Sequence, residues 1–340
     1  MKKLRVLVLM HHYLVPPADA ADHDPATATW KTEYDVLQTL RELEHDVHPL
    51  GVNDDLAGIR QANDEFKPHI AFNLLEAFHE VGTFDQNVVS YLELLRLPYT
   101  GCNPRGMLLA RDKSLSKKLL QYHRILVPEF QMVPRGRKPR LSKKFGFPLI
   151  VKSLTQEASI GISQASVVDD DTRLRERVQF IHESIKTDAI VEQFVEGREL
   201  YCGVLGNQRV HVLPVWEMTF ANMPEGQHRI ATERVKWNAK YQAKVGIATD
   251  EARGMAKDVV ARVQHISKRT FKVLEQSGYS RIDLRLDAAG RVFVLEANPN
   301  PQIARGEDLA QSAEAAGLSY AALIQRILTT GLRWEPERLG

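Results

Sequence analysis

The stretch Arg281-Ile-Asp-Leu-Arg-Leu-Asp-Ala-Ala-Gly-Arg-Val-Phe-Val-Leu-Glu296-Ala-Asn298 concentrates chemistry in a short span. Two runs of alternating apolar residues flank a short turn, which reads as a β-hairpin. With a two-residue turn at Ala288-Ala289, Asp287 faces Gly290 and Arg281 faces Glu296. Ile282, Leu284, Leu286, Phe293 and Leu295 then form a core face. Arg281, Asp283, Glu296 and Asn298 share the opposite face within cross-strand or diagonal reach. A one-residue slip would break this grouping. Two carboxylates and an amide oxygen on one surface make a hard-oxygen site of the kind Mg²⁺ takes, completed by substrate phosphates. A solvated hairpin would carry the same charges, so the rest of the chain must decide.

Lys152 closes the apolar strand Phe147–Lys152, and Lys113 opens a helix over Lys113–Tyr122. Lysines on either side of the polar loop Ser153–Ser163 can hold phosphates as point charges. Either could equally be a surface lysine. The run Ile190–Glu199 offers an extended backbone, an apolar shelf and carboxylates, a set able to read an adenine edge and a ribose.

The elements that would position these groups alternate in period. Leu4–Met10 reads as a buried strand, Thr29–Glu44 as a helix, Asp46–Val52 as a strand, Asp55–Glu65 as a helix, His69–Leu75 as a strand and Phe84–Leu95 as a helix. That alternation implies βαβ units and a parallel sheet. The turn after the first strand, His-His-Tyr-Leu-Val-Pro-Pro, lacks the glycines of a dinucleotide fold. Pro98–Arg105 is a turn-rich boundary. Beyond it come a helix at Asp171–Glu183, a strand at Ala189–Phe194 and strand-like sequence over Glu199–Glu217. Asn222–Asp250 reads as a long functional loop. Met255–Gln276 is the longest helix, with Met255, Val259, Val263 and Ile266 in a stripe, and a final helix runs from a Ser319 cap through Leu328.

Composition narrows the class. The chain has 340 residues, and 45 Lys+Arg against 43 Asp+Glu gives a net charge of +2, which argues against a nucleic-acid-coating protein. Hydrophobic content of 44% suits a folded chain. Two cysteines, Cys102 and Cys202, exclude a disulfide scaffold and suit a reducing compartment. No segment reaches the roughly 18–20 apolar residues of a membrane span. The apolar run after Met1-Lys2-Lys3 is too short for a signal peptide, so a cytoplasmic location is expected.

These pieces, in this order, resemble the ATP-grasp superfamily, and within it the D-alanine–D-alanine ligase-like branch. The likeness spans nearly the whole chain. It rests on Leu97-Pro-Tyr-Thr-Gly101, Asp112-Lys113, Phe147–Lys152, Ala158-Ser159-Ile160-Gly161, Glu192–Glu199, Ala239-Lys240-Tyr241, Arg281-Ile282-Asp283, Leu295-Glu296-Ala297-Asn298 and Ala316-Gly317-Leu318-Ser319. The spaced Arg-Ile-Asp and Glu-Ala-Asn pair is the specific signal. Phe147–Lys152 identifies only the superfamily.

The resemblance implies an α/β ATP-grasp fold in three parts: a parallel α/β domain over residues 1–104, a central α+β lid domain over 105–198 and an α+β catalytic domain over 199–340. It implies that Lys113 and Lys152 contact ATP phosphates, that Ser159 belongs to a mobile loop above them, and that Lys240 reaches the γ-phosphate from a lid. Glu192, Phe194 and Val195 would line the adenine site, and Glu199 would meet the ribose. Asp283, Glu296 and Asn298 would hold two Mg²⁺ ions, with Mn²⁺ as a substitute, and Arg281 would stabilise the reacting acyl centre. The activity implied is ATP-dependent amide-bond formation between a small carboxylate and an amine through an acyl phosphate. An ATP-binding regulatory protein or a kinase on the same fold is the alternative. A homodimer is implied, and a carrier protein as a partner is compatible.

Departures from the family fall at the substrate positions. The ligases carry a glycine-rich turn and a glutamate where this chain has His11–Pro17. Ala158 replaces a loop serine, and Pro301-Gln302-Ile303-Ala304-Arg305 replaces the segment that holds the acceptor carboxylate. D-alanine as both substrates is therefore not expected. His11, Glu76, His79 and Arg305 are the candidate substrate residues; Glu76 and His79 follow the third strand, where open α/β sheets bind ligands.

Overall fold

The computed structural model describes residues 2–17, 28–157 and 159–336. Among the described residues, twelve strands form three sheets. The first sheet has β1 (Arg5–His11) between β2 (Asp46–Val52) and β3 (Ile70–Asn73), all parallel. Its central strand is apolar on both faces because both are covered. Val6, Val8 and Met10 pack with the helices Lys31–Glu42 and Tyr320–Leu332, and Leu7 and Leu9 with Ala57–Phe66 and Asp85–Leu94. The C-terminal helix thus returns to the first sheet.

The second sheet, in the order β4-β7-β5-β6, comprises β4 (Phe130–Val133), β5 (Leu149–Ser153), β6 (Val167–Val168) and β7 (Ala189–Gln193). The third follows the order β10-β9-β8-β11-β12, with β8 (Arg198–Gly206), β9 (Val210–Phe220), β10 (Ile247–Glu251), β11 (Tyr279–Leu286) and β12 (Val292–Pro299). The helix Lys257–Val273, shorter than the expected Met255–Gln276, covers it, with Val263 buried and Val259 and Ile266 packed beside the core as the sequence stripe predicts; Met255 packs there from just before the helix.

Two expectations are corrected. Residues 222–250 are not a structureless loop: they contain the helices Glu233–Trp237 and Ala239–Val245 and most of β10. Thr232 and Asn238 cap those helices with their side chains. Their polarity hides them, because short helices lying on a surface show little apolar period. Helices Pro104–Arg111 and Asp308–Ala315 and strand β4 also escaped the periodicity.

The hairpin register is the second correction. The turn closes from Asp287 to Arg291, with Gly290 at φ +76° and Asp287 Oδ1 accepting from the amides of Ala289 and Arg291. A two-residue turn of the favoured type needs positive φ at both central residues, which Ala-Ala cannot supply cheaply, so Gly290 takes that role in a wider turn. Leu286 therefore faces Val292, one residue from the expected pairing. A bulge at Leu295 then adds a second shift, so Asp283 faces Glu296 and Arg281 faces Asn298. Two one-residue shifts cancel in parity. The polar quartet stays on one face, while Val292, Val294 and Ala297, rather than Phe293 and Leu295, join the core.

The segment after Leu97 locks the first sheet to the third. Gly278, at φ +72°, presses on the Gly101 carbonyl so closely that an added Cβ would lie 2.2 Å from its oxygen. We expect Gly278→Ala to cost about 3 kcal/mol or more, combining backbone strain with a clash. Gly290→Ala, with open space at φ +76°, should cost only about 1–2 kcal/mol. Urea unfolding of the two variants checks this, and equal losses would show that the Gly101–Gly278 approach is yielding.

Candidate active site

The centre of the site is a buried carboxylate held between two ammonium groups. Glu192 on β7 is 1% exposed; its Oε2 lies 3.0 Å from Lys152 Nζ and its Oε1 3.3 Å from Lys117 Nζ. Lys152 on β5 faces Ile190, so Glu192 is its diagonal neighbour on the same sheet face. Lys117 comes from the helix Lys113–Tyr122, where Asp112 caps the first turn and Lys113 and Lys117 share a face. Burial alone would raise the Glu192 pKa, but the two lysines outweigh it and hold the carboxyl below its ordinary range. Burial lowers Lys117, whereas the charges of Glu192 and Glu296 carry Lys152 upward against the same penalty.

Lys117 ties this centre to the hairpin. Its Nζ donates to the carbonyl of the bulged residue Leu295 at 2.6 Å. Lys113 Nζ donates to the Gln156 carbonyl at 2.6 Å and lies 3.6 Å from Glu296 Oε2. Lys117 was missed in the sequence; its four-residue spacing from Lys113 was the available signal.

On the hairpin, Arg281 binds Asp283 through two contacts, Nε–Oδ1 at 2.7 Å and Nη2–Oδ2 at 3.0 Å, above the Tyr201 ring. Burial would lower the guanidinium's pKa; the Asp283 charge more than reverses that. Asn298 donates its amide to the Arg281 carbonyl at 3.4 Å, which leaves its Oδ1 for a cation. Asp283, Glu296 and Asn298 thus supply hard oxygen donors across one strand pair, a set that fits Mg²⁺. Among the described residues, no group of three or more His, Cys, Asp or Glu is gathered as a metal site, so the asparagine is needed to complete this one.

Glu199 is also buried, with Oε2 accepting from Arg285 at 2.6 Å and Oε1 accepting from Tyr201 Oη at 3.0 Å. Arg285 lies directly across from Glu199 and also donates to the carbonyls of Gly197 and Arg229. Its place two residues after Asp283, on the quartet's face, is a signal present in the sequence. Phe194 and Val195 are half-buried just beyond β7, and the His228 ring meets Phe194 edge-on with centroids 5.1 Å apart.

The loop after β5 already touches the 222–250 segment. Ser159 Oγ donates to the Ala231 carbonyl at 2.7 Å, the Gly161 amide donates to Glu233 Oε2 at 3.1 Å, and the Glu233 amide donates to the Ile162 carbonyl at 2.9 Å. Ala158 lies outside the described residues. Lys240 stands exposed on the helix Ala239–Val245 and is not in contact with the lysine–glutamate centre among the described residues.

The candidate substrate residues part company. His11 is buried at the end of β1, with Nε2 3.3 Å from Glu80 Oε1 and its ring 4.1 Å from that of Tyr13. Burial depresses its pKa more than Glu80 raises it. Glu76 is exposed yet crowded; loss of water and then the Glu157 charge raise its pKa against Arg111. Arg111 bridges Asp85 and Glu157, so the loop after β5 meets the start of the helix Asp85–Leu94 through a guanidinium. His79, at φ +53°, is exposed. Arg305 is placed elsewhere: its Nη2 donates to Thr39 Oγ1 at 2.9 Å and approaches Glu42 at 3.3 Å, over the Tyr320 ring. Glu33, absent from the sequence candidates, is 5% exposed; burial, with a smaller push from Glu76, lifts its carboxyl from 4.5 to about 7.

Comparison with known proteins follows the same outline. A family model described as the D-ala D-ala ligase C-terminus matches residues 117–329. The uncharacterized protein y4sG of Sinorhizobium fredii is 33% identical over 264 residues, covering 78% of this chain and 75% of its own. D-alanine–D-alanine ligase A of Bacillus cereus is 27% identical over 304 residues, covering 89% and 92%. The structure of D-alanine–D-alanine ligase from Bacillus anthracis complexed with ATP superposes with a TM-score of 0.74 at 23% identity, over 97% of this chain and 98% of that one, a likeness of fold.

Two stability outcomes follow from the geometry. Glu192→Gln leaves two buried ammonium groups without their carboxylate and should cost about 3–5 kcal/mol, partly recovered by adding Lys117→Met. A loss under about 1 kcal/mol in urea unfolding would show that water already serves the pair. Glu33 behaves oppositely. Its pKa is higher folded than unfolded, so between pH 4.5 and about 7 the unfolded state loses its proton first and folding weakens as pH rises. Glu33→Gln should therefore exceed the parent in stability by about 3 kcal/mol at pH 8 and match it near pH 4. A pH-independent difference would contradict this.

Proposed function

The chain belongs to the D-alanine–D-alanine ligase family of the ATP-grasp fold, and from that premise we propose that it is an ATP-dependent carboxylate–amine ligase. The observation that carries the reading is the joining of Lys113, Lys117, Lys152 and Glu192 to the Arg281/Asp283/Glu296/Asn298 face through the bulge at Leu295.

A carboxylate is a poor electrophile until it is phosphorylated, and phosphoryl transfer needs positioning and charge neutralisation above all. Lys113 and Lys152 supply fixed positive charge beside the hairpin. Phe194 and Val195 provide the apolar shelf for the base; Glu199, oriented by Arg285 and Tyr201, meets the ribose. Glu192, taken from the sequence as an adenine contact, acts through Lys117 and Lys152 by keeping both charged and in place. Asp283, Glu296 and Asn298 hold the divalent metal, two Mg²⁺ ions in our reading with Mn²⁺ as a substitute. Bound there, the metal neutralises phosphate charge. Arg281 spends Nε and Nη2 on Asp283, which presents its remaining edge to the oxyanion formed when the amine attacks. Ser159 and Lys240 belong to the loop and lid that exclude water from the acyl phosphate.

The substrate side is the cleft at the ends of β1 and β3. His11, Glu76, His79 and Glu33 line its approaches, and carboxylates there suit the ammonium end of an amino acid. Arg305 instead fastens the chain after β12 to the helix Lys31–Glu42. We read the three sheets as three domains, with boundaries near 104 and 198. Small-molecule acid and amine partners, a homodimer and a cytoplasmic setting complete the reading; a carrier-bound substrate fits it too. Among the described residues no helix is long and apolar enough to cross a membrane. The family's relatives do not favour a purely regulatory protein or a kinase.

The test is Mg-ATP-dependent phosphate release across a matrix of amino-acid pairs, with mass spectrometry of the products. A pair-dependent signal with a condensed product is expected, and Arg281→Met should reduce it about 10²–10³-fold. Glu296→Gln serves as the blank. ATP consumption without any condensed product would overturn the ligase reading.

A further inference from the structure

Arg177 has no role in the site above, and its surroundings are unusual. It lies on the helix Asp171–Phe180, is 8% exposed, and forms no ion pair with a carboxylate among the described residues. Nη2 donates to the carbonyl of Gly161, the guanidinium stacks over the Phe180 ring with Cζ 4.2 Å from its centroid, and Nε is buried without any partner. Leaving a buried guanidinium donor unmade is costly, and native structures seldom tolerate it without a bound group. Arg177 also forms part of the wall of an open cavity of about 470 Å³, lined as well by Gln164, Ala165, Phe180 and residues 226–228. That volume suits a small molecule. Glu176 and Asp169 reach the same wall, but both carboxylates are solvent-exposed, and Asp169 is already paired with Arg173 at 3.2 Å.

We propose that this cavity binds a small oxyanion, a carboxylate or a phosphate, on the Arg177 guanidinium. None of its lining residues belongs to the candidate active site, yet two contacts connect it to that site. Arg177 holds Gly161 in the loop after β5, and the His228 ring abuts Phe194. Gln164 and His228 exchange two hydrogen bonds of 2.9 Å, so the cavity's two walls are fastened together. An anion drawing Arg177 toward the cavity releases the Gly161 carbonyl and alters the loop that faces the nucleotide. The binding itself is independent of the ligase reading; the effect on nucleotide affinity rests on it.

The experiment is calorimetric titration of the full chain with inorganic phosphate and, separately, with malonate, each with and without a saturating non-hydrolysable Mg–ATP analogue. One anion or both should bind without the analogue, and Arg177→Met should weaken binding at least tenfold. Ala165→Trp, which fills the cavity from an exposed position while leaving Arg177 intact, should do the same and covers the case in which Arg177→Met fails to fold. Whether phosphate or malonate binds more tightly identifies the source chemistry. Absence of binding by either anion at 20 mM, a concentration chosen at about the weak end of small-ligand affinities, would overturn the proposal. So would binding that both variants leave unchanged, which would place the anion among the site lysines. Failure of the analogue to bind, with Arg177-dependent anion binding intact, would count against the nucleotide reading alone.

Discussion

Everything in the site hangs on compensating the charge of Glu192. A carboxylate 1% exposed on the face of a sheet is tolerable only if opposite charge reaches it. Lys152 is brought by the neighbouring strand, but Lys117 comes from a helix more than thirty positions earlier in the chain, and its ammonium is equally buried. Satisfying Glu192 therefore fixes the helix Lys113–Tyr122 against the second sheet. The same Lys117 ammonium reaches the Leu295 carbonyl, so the third sheet is placed by the same charge balance. Such a triad contributes little net stability compared with an apolar core. Its value lies in position: an ammonium group with two fixed acceptors cannot wander.

The hairpin solves a different problem. Four polar side chains must share one face while their strands remain anchored in the core of the third sheet. The turn after Asp287 shifts the register by one residue, which alone would turn half the quartet into the core. The bulge at Leu295 shifts it again. It also frees a backbone carbonyl that an unbroken ladder would use, and Lys117 takes it up. The irregularity that restores the face is the same one that receives the lysine, so the carboxylates and the lysines are registered to one another through a single backbone group.

The two ends of the site are built differently. The loop after β5 and the 222–250 segment are joined by a set of hydrogen bonds, Ser159 to Ala231, the Gly161 amide to Glu233, the Glu233 amide to Ile162 and two between Gln164 and His228. At the opposite end, crowded carboxylates around Glu33 and Glu76 face the loop through Arg111 and Glu157.

Local sequence determined a good deal. Short continuous apolar runs set the strands at Arg5–His11 and Ala189–Gln193, the Asp112 and Ser319 caps set two helix starts, and the Arg-Ile-Asp and Glu-Ala-Asn pair marked the polar face of the hairpin. Those features are legible because apolar runs, capping and charge placement act over a few residues. Tertiary structure alone decided that Glu192 and Glu199 are sealed in by Lys117, Lys152 and Arg285, and that Arg305 turns to the first helix rather than to the cleft. It also decided the register, because Ala-Ala cannot make the tight turn that the residue count suggests, and it created the cavity beside Arg177. Such outcomes depend on which distant charge arrives when water is removed, and neither burial nor a long-range partner is written in the spacing of neighbouring residues.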